Sequence, residues 1–239
     1  MDMVKDAKEL RSNPIGAGSA NGAAIRTTNP GSVGFIGLGR MGTNMAANLA
    51  ATGRRVIAYV RRADQMDKLA ELGLKPTTKI TDLFDCEVVI SMLPDDTAVR
   101  DVVIGREDLG IDGLASGLQR GAIHLSMSTI STATASDLAT EHANHGQGYV
   151  AAPVFGNPDA AKARQLFIVA AGAPADVERC QPLFDSLGQK TFVIDTDPGH
   201  ANLVKLLGNM MTATTLEIWE RSSRWLASAD SIPSLSSIS

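Results

Sequence analysis

A doubly wound α/β fold, with a mostly parallel sheet followed by one long C-terminal helix, is what this 239-residue sequence predicts. Three observations carry the prediction. Val33, Phe35 and Ile36 make a short apolar run, and Gly37-Leu-Gly39-Arg-Met-Gly42 then turns the chain into Met41, Met45 and Leu49 at helical spacing. From there to Ile194, apolar runs alternate with helix-period segments, the order that builds a parallel sheet with helices on its faces. From Ala201 a helical period continues through Leu203, Leu207, Met210, Leu216 and Trp219 to about Leu226, where Ser-rich sequence follows.

Each element follows from local signals. Residues 1–31 hold Pro14, Pro30 and several Gly, Ala and Asn residues without a sustained apolar period, which predicts a flexible leader. The first helix runs to about Thr52, and Gly53 stops it before a second strand, Arg55 to Val60. Met66, Leu69 and Leu72 give one face of a helix from about Ala63. Thr81 to Asp85 read as a short helix, and Glu87-Val-Val-Ile-Ser91 as a buried parallel strand. Asp95 or Asp96 caps the next helix, which turns Val99, Val102 and Val103 inward. Next come a strand from Ala122 to Ser126 and a helix opened by Ser131 or Thr132. Strands at Tyr149–Ala152, Leu166–Ala171 and Thr191–Ile194, with a helix at Ala175–Leu187, complete the sheet. The predicted organisation is a nucleotide-binding domain over 32–197, the long helix over 198–227 and a flexible tail over 228–239.

Composition narrows the function classes. Twenty-two basic against 26 acidic side chains give a formal net charge of −4, so no global basic field points to nucleic acid or an anionic membrane. Cys86 and Cys180 stand far apart without C-x-x-C spacing, which suits reduced structural thiols in a cytoplasmic protein. The start has no apolar signal region, and no run approaches the ~18 apolar residues of a membrane span. His124, His142, His145 and His200 show no ligand spacing with carboxylates or cysteines, so no metal is expected.

The glycine turn identifies a Rossmann-type nucleotide site. Gly37 permits the tight turn, Gly39 leaves room for a pyrophosphate against the backbone, and Gly42 lets the helix pack on the strand. Leu38, Arg40 and Met41 fill the same turn, where free N–H groups and the helix dipole favour an anion. An NAD-selective site carries an acid at the end of the second strand, ~20 residues beyond the glycines. Here that position reads Val60-Arg61-Arg62, without an acid and with two guanidiniums placed for a 2′-phosphate, so NADP(H) is expected over NAD(H).

Four motifs in order resemble the beta-hydroxyacid dehydrogenases, the family of 3-hydroxyisobutyrate dehydrogenase, related to 6-phosphogluconate dehydrogenase. They are Gly34 to Gly42 with Met45 to Leu49, then Met92-Leu93-Pro94, then Ser128-Thr129-Ile-Ser131, then Gly199 through Lys205 to Asn209. The resemblance covers about Val33 to Glu220. It implies that Met92, Leu93, Pro94 and Ala98 lie against the cofactor, that Thr129 and Ser128 reach the nicotinamide and substrate, and that Lys205 is the catalytic acid. Spacing agrees on the last point, because Lys205 and Asn209 stand one turn apart on one helix face and can converge on a substrate. An ammonium there would stabilise and protonate the carbonyl oxygen as hydride arrives.

Two departures from the family pattern qualify the reading. Relatives acting on small hydroxyacids carry Pro-Val-Ser-Gly-Gly, whereas this sequence has Pro153-Val-Phe155-Gly156-Asn157, so the substrate corner is expected to be more apolar. Relatives also continue into an all-helical domain that closes the cleft and makes the dimer, and this sequence stops at Ser239. The expected function is therefore an NADPH-dependent reductase of a small carbonyl or hydroxyacid-type substrate. A truncated, non-catalytic NADP-binding module and an imine reductase-like enzyme stay open as alternatives. The 201–226 helix is expected either to pair with a second copy or to leave its distal half mobile.

Overall fold

The computed structural model describes residues 29–106 and 111–229; the expected leader up to residue 28 and the tail from residue 230 lie outside the described residues. The first half runs β1 (Asn29–Ile36), α1 (Arg40–Ala50), β2 (Arg55–Tyr59), a 3-10 turn (Ala63–Gln65), α2 (Met66–Glu71), β3 (Lys75–Thr77), a second 3-10 turn (Ile80–Leu83), β4 (Cys86–Ser91) and α3 (Asp96–Val103). A hairpin of β5 (Gly105–Arg106) and β6 (Ile111–Asp112) leads to α4 (Leu114–Gly117), β7 (Ile123–Ser126), α5 (Thr132–Asn144) and β8 (Gly148–Ala151). Then follow β9 (Val154–Phe155), α6 (Pro158–Lys162), β10 (Leu166–Gly172), α7 (Pro174–Leu187), β11 (Gly188–Asp195) and α8 (Pro198–Ala229).

The strands form one sheet in the order β11-β10-β8-β7-β4-β1-β2-β3, with β9 beside β10. Strands β3, β2, β1, β4, β7 and β8 are all parallel. Direction then reverses, because β10 pairs antiparallel with β8 at Ala171↔Ala151 and with β9 at Phe167↔Phe155, while β11 runs parallel to β10. The fold is thus mostly parallel and Rossmann-like, as the alternation of elements predicts. Differences from the sequence reading are local. Strand β1 begins at Asn29, inside the expected leader, with a register shift against β4 between Asn29 and Val33. Elements β3, β5, β6, β9, α4 and α6 span two to five residues each, too short for a hydrophobic period to register.

Strand alternation distributes the core to both faces of the sheet. Val33, Phe35, Val56, Val88 and Ile90 pack on one face with Met45 and Leu49 of α1 and Leu183, Phe184 and Leu187 of α7. On the other face Ile36 and Val89 meet Leu83, Leu114 and Leu118, while Val169 and Ala171 meet Leu138 of α5 and Ala201 of α8. Burying each of the Val, Leu, Ile, Phe and Met side chains among them stabilises the fold by roughly 1.5–3 kcal/mol against leaving it exposed. Caps set where two helices start: Asp95 accepts from the Ala98 N–H at 2.8 Å, and Ser131 from the Thr134 N–H at 3.1 Å. Asp96 instead accepts from the Ser131 N–H at 2.8 Å, so it ties the start of α3 to the start of α5.

Helix α8 is 32 residues long, roughly 48 Å at ~1.5 Å per residue. Its first two turns pack on α5, β8 and β10. From Asn209 to Trp225 every residue is exposed, Leu216, Ile218, Trp219 and Trp225 included. No helix among the described residues is long and apolar enough to cross a membrane.

Candidate functional site

The carboxyl ends of β1, β2 and β4 open into a cleft of about 890 Å³. Its floor is the glycine turn between β1 and α1. Gly37 has φ +95°, and a Cβ there would stand 2.2 Å from the Met92 carbonyl oxygen, so both conformation and contact demand glycine. Gly42 is equally constrained, since its Cβ would sit 1.9 Å from the Gly37 carbonyl oxygen. At Gly39 the reverse holds: a Cβ would meet nothing within 4 Å, and the residue caps α1 without a side-chain hydrogen bond. The N–H groups of the first turn therefore face open space beside Arg40, with no acid in that turn. A helix N-terminus with its backbone bared in this way fits a dinucleotide pyrophosphate.

Val60, Arg61 and Arg62 stand on one wall, as the sequence placed them, and Met92, Leu93 and Pro94 on the other. Arg62 lies 3.7 Å from Asp64 with both side chains largely exposed, while Arg61 has no ion pair among the described residues. Tyr59 and Gln65 also line the cleft. The sequence reading missed them, although both lie close to the arginine pair in the chain. Ala98 and Thr129 lie outside the lining of this cleft, and the Ala98 N–H is engaged by the Asp95 cap.

Ser128 is fully buried. Its hydroxyl accepts the Leu93 N–H at 2.8 Å and donates to the Ser91 carbonyl at 3.3 Å, so it pins the Met92-Leu93-Pro94 loop from beneath, where the family resemblance had placed it at the substrate. The Ser91 side chain in turn opens a buried chain of hydrogen bonds. Gln147 donates from Nε2 to the Ala115 and Leu118 carbonyls, which leaves its Oε1 to accept from His142 Nδ1 at 2.6 Å. His142 Nε2 must then accept from His124 Nδ1 at 2.9 Å, and His124 Nε2 from the Ser91 hydroxyl at 2.8 Å. Both imidazoles are neutral in this arrangement. Burial pushes His124 well below the ordinary histidine range and His142 down to about 4.

Lys205 sits on the inner face of α8, only 8% exposed, with Nζ 4.1 Å from the Phe155 ring centroid. Among the described residues it has no ion pair, and burial lowers its pKa. Asn209, one turn on, is exposed and shares no hydrogen bond with Lys205 among the described residues. Asn202, one turn earlier, is fully buried: Oδ1 accepts the Ile130 N–H at 3.3 Å and Nδ2 has no partner. Its spacing to Lys205 could have marked it in the sequence. Of the predicted substrate group, Phe155 is half-buried beside Lys205, Gly156 is exposed at φ +143°, and Asn157 caps α6 by accepting from Ala160 N–H at 2.8 Å.

The profile described as the NAD binding domain of 6-phosphogluconate dehydrogenase matches residues 32–195. An uncharacterized oxidoreductase, YfjR, of Bacillus subtilis (strain 168) is 37% identical across 77% of this chain and 63% of its own length. The cytokine-like nuclear factor N-PAC of Danio rerio is 31% identical across 75% of this chain and 38% of its own. This chain therefore spans less than two thirds of either relative. Among solved structures, a 3-hydroxyisobutyrate dehydrogenase of Mycobacterium tuberculosis superposes with a TM-score of 0.69 at 25% identity, covering 76% of this chain and 60% of that one. A Streptomyces aurantiacus imine reductase gives 0.69 at 26% identity, with coverages of 80% and 65%. The matched span runs from within β1 to the last residue of β11 and contains the glycine turn, the arginine wall and the Leu93 loop. The chain thus belongs to the family of the NAD binding domain of 6-phosphogluconate dehydrogenase, with 3-hydroxyisobutyrate dehydrogenase-like oxidoreductases among its relatives.

Proposed function

We propose that this chain forms the nucleotide-binding part of an NADPH-dependent reductase of a small carbonyl compound, which in reverse oxidises the corresponding alcohol. The observation that carries the reading is Lys205: a desolvated ammonium without a carboxylate partner, held on an aromatic ring, in a family whose fold binds a nicotinamide dinucleotide. When bound, the nicotinamide supplies the hydride. The first turn of α1 and the bared backbone at Gly39 hold the pyrophosphate, and Arg61 with Arg62 meets the 2′-phosphate of NADP. Ser128 acts indirectly, by fixing the Leu93 wall of the cleft.

Lys205 serves the substrate oxygen. As negative charge grows on the carbonyl, the ammonium stabilises it and transfers a proton, and a pKa lowered by burial brings the donor nearer the working pH. Asn202 Nδ2, buried and unpartnered in the turn before, is a second donor on the same helix. Incubating the chain with NADPH and a panel of aldehydes, ketones and imines tests the reading. Turnover that Lys205→Met lowers by about 10² to 10⁴, with NADPH affinity retained, supports it; unchanged turnover removes the lysine from the chemistry. A second reading, a nucleotide-binding module without turnover, is favoured by the exposure of Asn209, which shares no hydrogen bond with Lys205 among the described residues. Tight NADPH binding with no turnover on any member of the panel would support it. Turnover confined to imines would instead place the chain with the imine reductases.

A further inference from the structure

We propose that Phe155 sets the substrate class: the site takes an uncharged carbonyl compound with an apolar flanking group and turns away substrates that carry a carboxylate there. The proposal rests on the reductase reading above and deepens it for the same site.

The ring is fixed by its surroundings. Phe155 pairs with Phe167 in the sheet and lies beside α8, where it carries the Lys205 ammonium at 4.1 Å. Gly208 lies against the ring, since a Cβ there would come within 2.5 Å of the ring Cζ and 2.6 Å of Cε1. An aromatic side chain fits at 155 because residue 208 has none. Phe155 and Gly208 therefore act as one packed unit that holds Lys205 along the ring face.

That unit leaves a carboxylate poorly served. An anion entering a dry corner needs several charge-assisted hydrogen bonds to offset its desolvation. The Ser128 hydroxyl is fully buried and committed to Leu93 and Ser91, and Asn157 Oδ1 is occupied in capping α6, which leaves only uncharged amide donors, Asn157 Nδ2 and Asn202 Nδ2. The Ile130 N–H is taken by Asn202. Lys205 is the cation that the ring holds, and the carbonyl oxygen requires it. The face of an aromatic ring is electron-rich, which favours a cation and repels an anion. Past Phe155 the surface stays apolar, with Phe167, Val169, Phe192, Ile194 and Val204 around a trough of about 460 Å³. An alkyl or aryl group gains contact there, whereas a carboxylate loses its water.

Two aldehydes separate the cases: hydrocinnamaldehyde, with an aryl end, and succinic semialdehyde, with a carboxylate end. With NADPH and the full chain, kcat/KM should favour hydrocinnamaldehyde by on the order of tenfold or more. Phe155→Ser should shrink that ratio by about as much, and Phe155→Thr serves where serine weakens the strand. Phe155→Leu should keep the preference. Saturation-transfer NMR in the presence of NADP⁺ supplies a readout independent of turnover, with hydrocinnamyl alcohol and gamma-hydroxybutyrate as probes. Equal or better turnover of the semialdehyde by the parent protein overturns the proposal and leaves the reductase reading intact. Selective binding of the aryl alcohol without turnover on either aldehyde supports the proposal and sinks the reductase reading. Binding of both alcohols alike, or of neither, overturns the proposal.

Discussion

Acidification should destabilise this domain well before its carboxylates are titrated, because two imidazoles are buried neutral. His142 is held down to about 4, chiefly by burial, with the hydrogen bond to Gln147 opposing and His145 adding to the depression. In the unfolded chain a histidine titrates near 6.5. The folded pKa is therefore below the unfolded one, so the unfolded state binds the extra proton and stability falls as pH drops through the interval from ~6.5 to ~4. At ~1.36 kcal/mol per unit, the full difference for His142 is roughly 3.4 kcal/mol, of which about 2 kcal/mol is lost between pH 7 and pH 5. His124 shifts in the same direction, from burial first and the neighbouring His142 second, and adds to the loss. Against a total stability of about 5–15 kcal/mol this is a large fraction. Urea unfolding followed by circular dichroism at pH 7, 6 and 5 measures it, and the midpoint should fall by about 1 M or more across that range at ordinary slopes. A midpoint unchanged from pH 7 to pH 5, or ring resonances of His124 and His142 that both titrate near 6.5 in the folded protein, would refute the neutral-pair argument.

Other expectations concern the site and the surface. NADPH should bind at least about tenfold more tightly than NADH, since one charge-assisted contact is worth ~1.5–3 kcal/mol, and Arg61→Ala with Arg62→Ala should erase the difference in a fluorescence titration. Gly42→Ala should abolish cofactor binding or folding, given the 1.9 Å approach to the Gly37 oxygen; a variant with parental affinity and melting temperature would contradict the turn geometry. Cys86 and Cys180, pushed up to about 11 and about 12 by burial, should resist a thiol reagent in the native protein and react once urea unfolds it. The chain should associate through α8, and Trp219→Glu with Leu216→Glu should shift light scattering toward the monomer; a parent protein that is monomeric at high concentration would argue against pairing.

The sheet and its order of elements were legible because buried parallel strands and amphipathic helices leave strong periods, and the glycine turn was legible because two of its positions admit no side chain. Lys205 could be named because a family motif singles it out, whereas Asn202, one turn before it, offered only helical spacing, and its orphaned Nδ2 shows only in the fold. Ser128 shows the opposite failure. Its motif led to an expected contact with the substrate, and the structure shows its hydroxyl bonded to the Leu93 and Ser91 backbone; which way a hydroxyl faces depends on a rotamer, which no linear pattern encodes. The histidines illustrate the same limit: eighteen residues apart, without ligand spacing, they meet only because β7 and α5 pack together.

The reversal of strand direction between β8 and β10 has a consequence for where chemistry can be placed. Because β10 and β11 descend from beyond the end of β8, β11 finishes level with the rim where the glycine turn opens, and two residues suffice to start α8 there. Had β11 run the other way, its end would lie about 23 Å farther out, at ~3.3 Å for each of the seven steps from Gly188 to Asp195. A helix of the same sequence would then begin past Phe155 and carry Lys205 away from it. One inverted strand pair thus serves as the chain's address system, starting α8 level with the rim of the glycine turn with almost no loop to order.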